Sequence, residues 1–285
     1  MPVLKNLPYI PFCTRYVQPD WGKAENALKQ ALKLSSEAKS QKAILKNLTN
    51  LGALHVLTGA FDEARKWLYK AIEFADAVDE VSPKTYALDR LGVIAEREGN
   101  YKASIRLKRE ALELADQLGN ENETWRLKIN LGASYYFAKD YDKAEALWQE
   151  ALSMHPHDTE KVGSGASTLL VNLGHIAFAR ADYQKAEQLF KKGLLICLEN
   201  GMYQYFFQRA KILCETWLKS NKPQKAMQLF AFIETLQKRY RLADIETPDG
   251  EPYERLKSKL SKRDKRYLRQ AAQMTDQDIK ALLQP

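Results

Sequence analysis

The sequence predicts an all-α solenoid of stacked helix pairs, and three observations carry that reading. Of the 285 residues 45% are apolar, and only 13 Gly and 10 Pro interrupt a chain rich in Ala, Leu, Lys, Glu and Gln, the residues a helix accepts at least cost. Alternating runs of Val, Ile and Thr bounded by turn residues are missing, which removes the case for a sheet. A motif also returns about every forty residues, the mark of a repeat architecture.

The motif opens with Leu51-Gly52, Leu91-Gly92, Leu131-Gly132 and Leu173-Gly174. Nine residues after each Gly stands an aromatic, Phe61, Tyr101, Tyr141 or Tyr183. Three further on comes Ala64, Ser104, Ala144 or Ala186, and seven later Ala71, Ala111, Ala151 or Gly193. A large residue lies between the last two, as Leu68, Trp148 and Phe190 do, with Lys108 the exception. In front of these units a half copy, Trp21, Ala24, Leu28 and Ala31, matches the second half of the motif. Behind them a degenerate fifth copy runs through Leu213-Cys214, Pro223, Ala226, Phe230 and Ile233. From Gly52 through Gly92, Gly132 and Gly174 to Cys214 the intervals are 40, 40, 42 and 40 residues.

Helix pairing explains the pattern. Small residues at the Gly and Ala positions let two antiparallel helices approach closely, and the Leu and aromatic positions fill the space between them. Each pair leaves an apolar face that only the next pair can cover, so the unit repeats.

With its small residues at these three places, the stretch 18–240 resembles the tetratricopeptide repeat family. The resemblance implies a right-handed superhelix of about five helix pairs with a leading half-repeat. The usual unit has 34 residues, so these units carry roughly three more residues per helix, or about 4 to 5 Å. Units of this length look like those of kinesin light chains and of the helical sensor regions in bacterial LuxR-type and signal-transduction ATPase regulators.

The flanking segments are read from composition. Residues 1–17 contain Pro2, Pro8 and Pro11 and form an extended N-terminal segment, neither a signal core nor an amphipathic presequence. Residues 158–167, with Gly163-Ser164-Gly165, read as a longer loop that accounts for the 42-residue interval. After Tyr240 the motif stops and Pro248-Asp249-Gly250-Glu251-Pro252 turns the chain. Residues 241–285 then supply two capping helices, Tyr253–Met274 and Asp276–Leu283, the second opened by a variant capping box at Thr275-Asp276-Gln277-Asp278. This tail resembles the end of the same regulators' sensor regions.

The resemblance places the first helix of each pair on the concave side, where residues two before the Gly point inward: Asn50, Arg90, Asn130, Asn172 and, in the degenerate unit, Ile212. A carboxamide offers both a donor and an acceptor and can grip a peptide backbone without reading its side chains. Each Asn can equally bond a neighbouring helix or water. On the same face the reading places Arg97, Arg126, Tyr136, Phe137, His175 and Phe178, cationic and aromatic groups suited to an acidic or aromatic-bearing ligand. The expectation is a protein or peptide partner held in the groove.

Other function classes are weaker. The net charge is +8, and Arg255 to Arg269 holds eight Lys and Arg against Asp264. That basic stripe is the basis for an alternative, a nucleic-acid-associated protein, but no DNA- or RNA-binding signature accompanies it; a solvated face or a docking surface for another domain is the favoured reading. His155-Pro156-His157-Asp158 lacks a third spaced metal ligand. No constellation of nucleophile, base and oxyanion donor is present and no phosphate-binding loop, so neither an enzyme nor a cofactor is expected. Cys13, Cys197 and Cys214 fit no disulfide framework, and no stretch approaches the roughly 18 apolar residues of a membrane span. A cytoplasmic, bacterial signal-transduction or transcription regulator is the expected setting.

Overall fold

The computed structural model describes residues 20–154, 159–240 and 274–284. Among them twelve helices and no strand are found. In chain order these are α1 (Trp21–Glu37), α2 (Gln41–Thr58), α3 (Phe61–Ala77), α4 (Val81–Arg97), α5 (Tyr101–Gln117), α6 (Glu121–Phe137), α7 (Tyr141–Met154), α8 (Thr159–Ala179), α9 (Tyr183–Glu199), α10 (Tyr203–Lys219), α11 (Pro223–Tyr240) and α12 (Asp276–Leu283). The readings made for residues 1–17, for the tail helix with its basic stripe 255–269 and for His155 to Asp158 lie outside the described residues. The fold is the repeated helical architecture that the motif predicts.

The chain divides between Leu147 and Trp148 into two compact units. In the first, α1 packs on α2, α2 on α3, α3 on α4, α4 on α5 and α5 on α6. First helices also touch one another there, α2 against α4 and α4 against α6. In the second unit α8 pairs with α9 and α10 with α11, and α8 meets α10.

The motif glycines explain how closely the pairs approach. A Cβ placed on Gly52 would stand 2.5 Å from Leu68, one on Gly92 would stand 2.8 Å from Lys108, and one on Gly174 would stand 2.6 Å from Phe190. Each large residue of a second helix thus fills the space left by the Gly of its own first helix. Lys108, irregular in the sequence, occupies that place with its aliphatic stem and is fully buried.

The end of every first helix turns through a left-handed residue. Gly59 and Gly99 do so with φ of 77° and 78°, and the equivalent Lys139, Ala181 and Asn221 adopt 63°, 60° and 57°. Side-chain-bearing residues enter this region at a cost, so the turn is imposed by the pairing it serves.

Residues 159–167 are helical, which corrects the expected loop. They form the start of the 21-residue α8, and the 42-residue interval is taken up by a longer first helix. Two glycines in a helix cost roughly 1 kcal/mol each relative to Ala, but tertiary contacts hold this end. Ser167 is buried and donates to the carbonyl of Gly193 at 2.6 Å. A Cβ on Gly193 would lie 2.9 Å from Val171 and 3.1 Å from the Ser167 carbonyl, so the small residue at that place permits the approach.

At the C-terminal side α12 packs on the second helices α9 and α11 and buries Ile279 and Leu283. Its capping box is complete: the Asp278 amide donates to the Thr275 hydroxyl at 3.3 Å, and the Thr275 amide to the Asp278 carboxylate at 2.7 Å. Lys191 on α9 donates to the Gln284 carbonyl and secures the far end.

Candidate binding face of the first helices

In the first unit the polar centre is a residue outside the motif, Asp89 on α4. It is fully buried and accepts from three directions. Arg90 reaches it at 2.5 Å, Arg126 on α6 at 2.6 Å, and the Asn130 amide lies 3.0 and 3.1 Å from its two oxygens. Burial alone would raise this carboxyl, but the charges of Arg90, Arg126 and Lys108 outweigh it and hold the group well below the usual carboxylate range. Both guanidiniums also lie over the ring of Tyr86, at 5.2 Å for Arg90 and 5.8 Å for Arg126. On its other edge Arg126 meets Glu123, Nε at 3.1 Å and Nη2 at 2.6 Å. Burial depresses the guanidinium of Arg126, yet Asp89 and Glu123 raise it above the ordinary arginine value.

A second buried network joins α4 and α5 of one pair to α6 of the next. Lys108 on α5 donates to Glu96 on α4 at 2.7 Å and to the Asn130 carbonyl at 3.2 Å. Ser134 donates to the same Glu96 oxygen and meets Ser104 at 2.9 Å. These groups satisfy one another in the interior and are scaffold.

The structure separates the four polar residues that stand two before each Gly. Asn130 spends its amide on Asp89. Asn50 on α2 is half-buried and bonds to none of the described residues. Arg90 uses Nη2 on Asp89, but its buried Nε has no partner among the described residues. Asn172 on α8 is 1% exposed, and its buried carbonyl oxygen has no partner among the described residues.

The remaining expected residues are dispersed. Arg97 is exposed at the end of α4. Tyr136 and Phe137 belong to an aromatic cluster at the α6–α7 turn, where Phe137 stacks on Tyr101 at 6.0 Å and Tyr136 meets Tyr141 at 5.4 Å. Burial, helped by Tyr141, pushes the Tyr136 phenol up to about 12. In the second unit Phe178 lies edge-on to Tyr183 at 5.5 Å, and His175 to Phe190 at 5.3 Å. Burial, with the Arg209 charge added, pushes the His175 imidazole down to about 4. Arg209 itself is buried and donates to Ser167 at 2.5 Å and to Thr168 at 2.6 Å.

Asp89, Tyr86, Glu123 and Arg209 were not among the expected site residues. At the place of Asp89 the other units carry Thr49, Ile129, Val171 and Lys211, so no periodic signal marks it. A buried charge on a first helix becomes visible only when its partners on the next helix are in place.

Paired helices with a Gly-to-large contact and polar residues gathered on the first helices define an α-α repeat protein. Tetratricopeptide repeat models match residues 85–157 and 48–75, so these parts of the chain carry tetratricopeptide repeats. It is similar in structure to BtubC (BKLC) from P. vanneervenii, at TM-score 0.67 and 17% identity over 80% of this chain and 93% of that one. A signal transduction ATPase with a tetratricopeptide repeat sensor from Pyrococcus horikoshii gives TM-score 0.62 and 14% identity over 92% of this chain and 43% of that one. The Rap conjugation gene regulator of plasmid pLS20, in complex with a Phr peptide, gives 0.60 and 13% over 83% of this chain and 64% of that one. No curated protein matches the chain by sequence. Among the described residues no helix is long and apolar enough to cross a membrane.

Proposed function

We propose that the chain is a binding scaffold that captures a peptide or protein segment on the face of its first helices and performs no chemistry on it. The observation that carries this reading is the unspent hydrogen-bonding capacity at one repeat position. Asn50 bonds to none of the described residues, the Nε of Arg90 has no partner, and the Asn172 carbonyl oxygen has none. Leaving a buried polar group unpaired costs about 1 to 3 kcal/mol, and such groups call for an explanation beyond the fold. A peptide backbone offers a donor and an acceptor at every residue and meets the half-buried Asn50 directly, whereas the Arg90 Nε and the Asn172 carbonyl oxygen lie beneath the surface and are reached only if neighbouring side chains part.

The Rap regulator solved with a Phr peptide supports the peptide as ligand class, and the repeat sensor of the Pyrococcus ATPase supports a sensing role. On this reading the chain is the sensor module of a bacterial, cytoplasmic signalling or transcription regulator. The test is a random peptide library panned on the parent and on Asn50→Ala with Asn172→Ala. The parent enriches a family of peptides; the double variant loses them by at least about tenfold in affinity, since two backbone contacts are removed, while its melting temperature stays close to the parent's. Equal capture by both proteins rules the reading out.

A further inference from the structure

We infer that the uncovered side of α1 seats a second copy of this chain, with the two α1 helices laid antiparallel. The inference is independent of what the first helices bind.

By its motif α1 is a second helix without a first. Its Trp21, Ala24, Leu28 and Ala31 stand where α3 carries Phe61, Ala64, Leu68 and Ala71. On α3, Ala64, Leu68 and Ala71 are fully buried, because α2 lies against them. On α1 the same three places are only half-buried, and Trp21 is 37% exposed. Helix α2 holds α1 from another side: His55 faces Glu25 at 3.6 Å, Asn47 donates to Ser35 at 3.3 Å, and Leu32 packs on the core that α2, α3 and α4 share.

The motif side runs on into an apolar row turned away from Glu25 and Leu32. Ala24, Ala31 and Ala38 occupy the a places of a heptad and Ala27 and Leu34 the d places. Ala27, Leu34 and Ala38 are exposed, Leu34 by 58%. Two of the five large apolar side chains exposed among the described residues, Trp21 and Leu34, lie on this one helix. The exposure is gathered there and not scattered singly, which is what marks an interaction surface.

Charge selects the occupant. A seam of this spacing is sealed by another helix of the same spacing. The sequence before α1 is interrupted by Pro2, Pro8, Pro11 and Pro19 and does not supply one; a second α1 does. Laid antiparallel, Ala24 meets Leu34 of the second copy and Ala27 meets its Ala31, so that large fits against small and the axes approach closely between them. Lys23, Gln30 and Glu37 flank the seam at the g places. In antiparallel register the two g rows face each other, which sets Lys23 beside Glu37 twice and Gln30 beside Gln30 at the twofold axis. On the opposite flank Leu28 meets Leu28. A parallel pair would set Lys23 against Leu28 and leave the charges without partners. In the single chain Lys23 and Glu37 meet Asp20 at 3.1 Å and Lys33 at 4.0 Å, exposed pairs that contribute little, so both are available to the second copy. A seam only one 17-residue helix long lies at the small end of interface sizes, roughly 1,200 Å² or less, and the dimer therefore dissociates on dilution.

Analytical ultracentrifugation of the full chain over a range of concentrations reads the dimer constant, and thermal melting at the lowest concentration reads the folded monomer. The parent passes from monomer to dimer as concentration rises. Leu34→Glu sets a carboxylate against Ala24 of the second copy and weakens the dimer by about tenfold or more, while the monomer melts as the parent does because the residue is exposed. Lys23→Glu or Glu37→Lys alone brings like charges together and weakens the dimer about threefold or more; the two changes combined reverse both charges and restore it. Should Leu34→Glu fail to fold, the charge cycle decides alone. A parent that stays monomeric at every concentration overturns the proposal, and a lowered melting temperature in Leu34→Glu then assigns the face to the chain's own preceding residues. A dimer indifferent to Leu34→Glu overturns it as well. A dimer that the combined charge reversal does not restore overturns the antiparallel pairing on which the proposal stands.

Discussion

The Asn130 amide on α6 lies 3.0 and 3.1 Å from the two oxygens of Asp89 on α4, so a residue at the expected peptide-gripping position joins two neighbouring repeats instead. Its fellow at the same position, Asn50, makes no such bond. The two residues should therefore respond differently to the same substitution. Asn130→Ala removes a donor from a buried carboxylate and costs about 1 to 3 kcal/mol, whereas Asn50→Ala stays within about 0.5 kcal/mol of the parent. Chemical denaturation of both variants checks this, and equal midpoints would refute the distinction.

Asp89 itself is held by three donors, so its removal has a larger effect. Asp89→Ala strands Arg90 and the inner end of Arg126 in a desolvated place and is expected to destabilise by about 3 to 5 kcal/mol. The depressed carboxyl also sets a pH dependence. Its contribution is fully present above the unfolded value near 3.8 and is lost as pH falls below it toward the folded value. Denaturation curves between pH 5 and pH 2 should steepen in the parent relative to Asp89→Asn, which carries no titrating group there.

Lys108 and Glu96 test whether a buried ion pair contributes stability or specificity. Lys108→Leu alone leaves Glu96 buried against Ser134 without its cation and should cost about 3 to 5 kcal/mol. Lys108→Leu with Glu96→Leu should recover most of that loss, because Leu at this place packs against the repeat Gly, as Leu68 does against Gly52. A double variant as unstable as the single would mean that the serines and the Asn130 carbonyl, not the charges, dominate the network.

Much of the fold was legible because its determinants are steric and periodic. A Gly opposed by a large residue recurs at one interval, and neither partner depends on anything outside its own pair. Lys108 looked like an exception because the sequence displays its charge, while the structure uses its stem against Gly92 and pairs the charge twelve residues away with Glu96. The start of α8 was misread for the converse reason: Gly163 and Gly165 are local breaking signals, and the contacts of Ser167 with Gly193 that override them are distant in sequence. The candidate binding face is the least legible part. Asn50, Arg90, Asn130 and Asn172 share a repeat position, but what each bonds depends on its surroundings, and Asp89 engages Arg90 and Asn130 while reaching neither of the others.

The left-handed turns offer a local test of strain. Ala181 closes α8 with φ of 60° where the equivalent Gly59 and Gly99 close α2 and α4. It is exposed, so Ala181→Gly changes little besides the backbone. Relief of the left-handed cost, about 1 to 2 kcal/mol, exceeds the added freedom of glycine in the unfolded chain, about 0.4 to 1 kcal/mol. The variant should be more stable than the parent by roughly 0.5 to 1 kcal/mol, and a lower melting temperature would show that the turn is not strained.

His175 predicts a second pH dependence, of the same sign as that of Asp89 but in a higher pH window. Its imidazole is pushed down to about 4 from an ordinary 6.5, so between these values the unfolded chain binds a proton that the folded chain refuses. Stability then rises with pH across this window and is lost as pH falls from about 6.5 toward 4. Asp89 contributes little to that slope above about pH 5, where its carboxyl is ionised in the folded and the unfolded chain alike. His175→Gln removes the titrating ring while keeping a polar side chain, and its stability should be flat from pH 6.5 to 5, where the parent declines. Parallel curves for the two proteins would show that the partly exposed imidazole keeps enough water to titrate normally, and the desolvation beside Phe190 and the charge of Arg209 would no longer account for its behaviour.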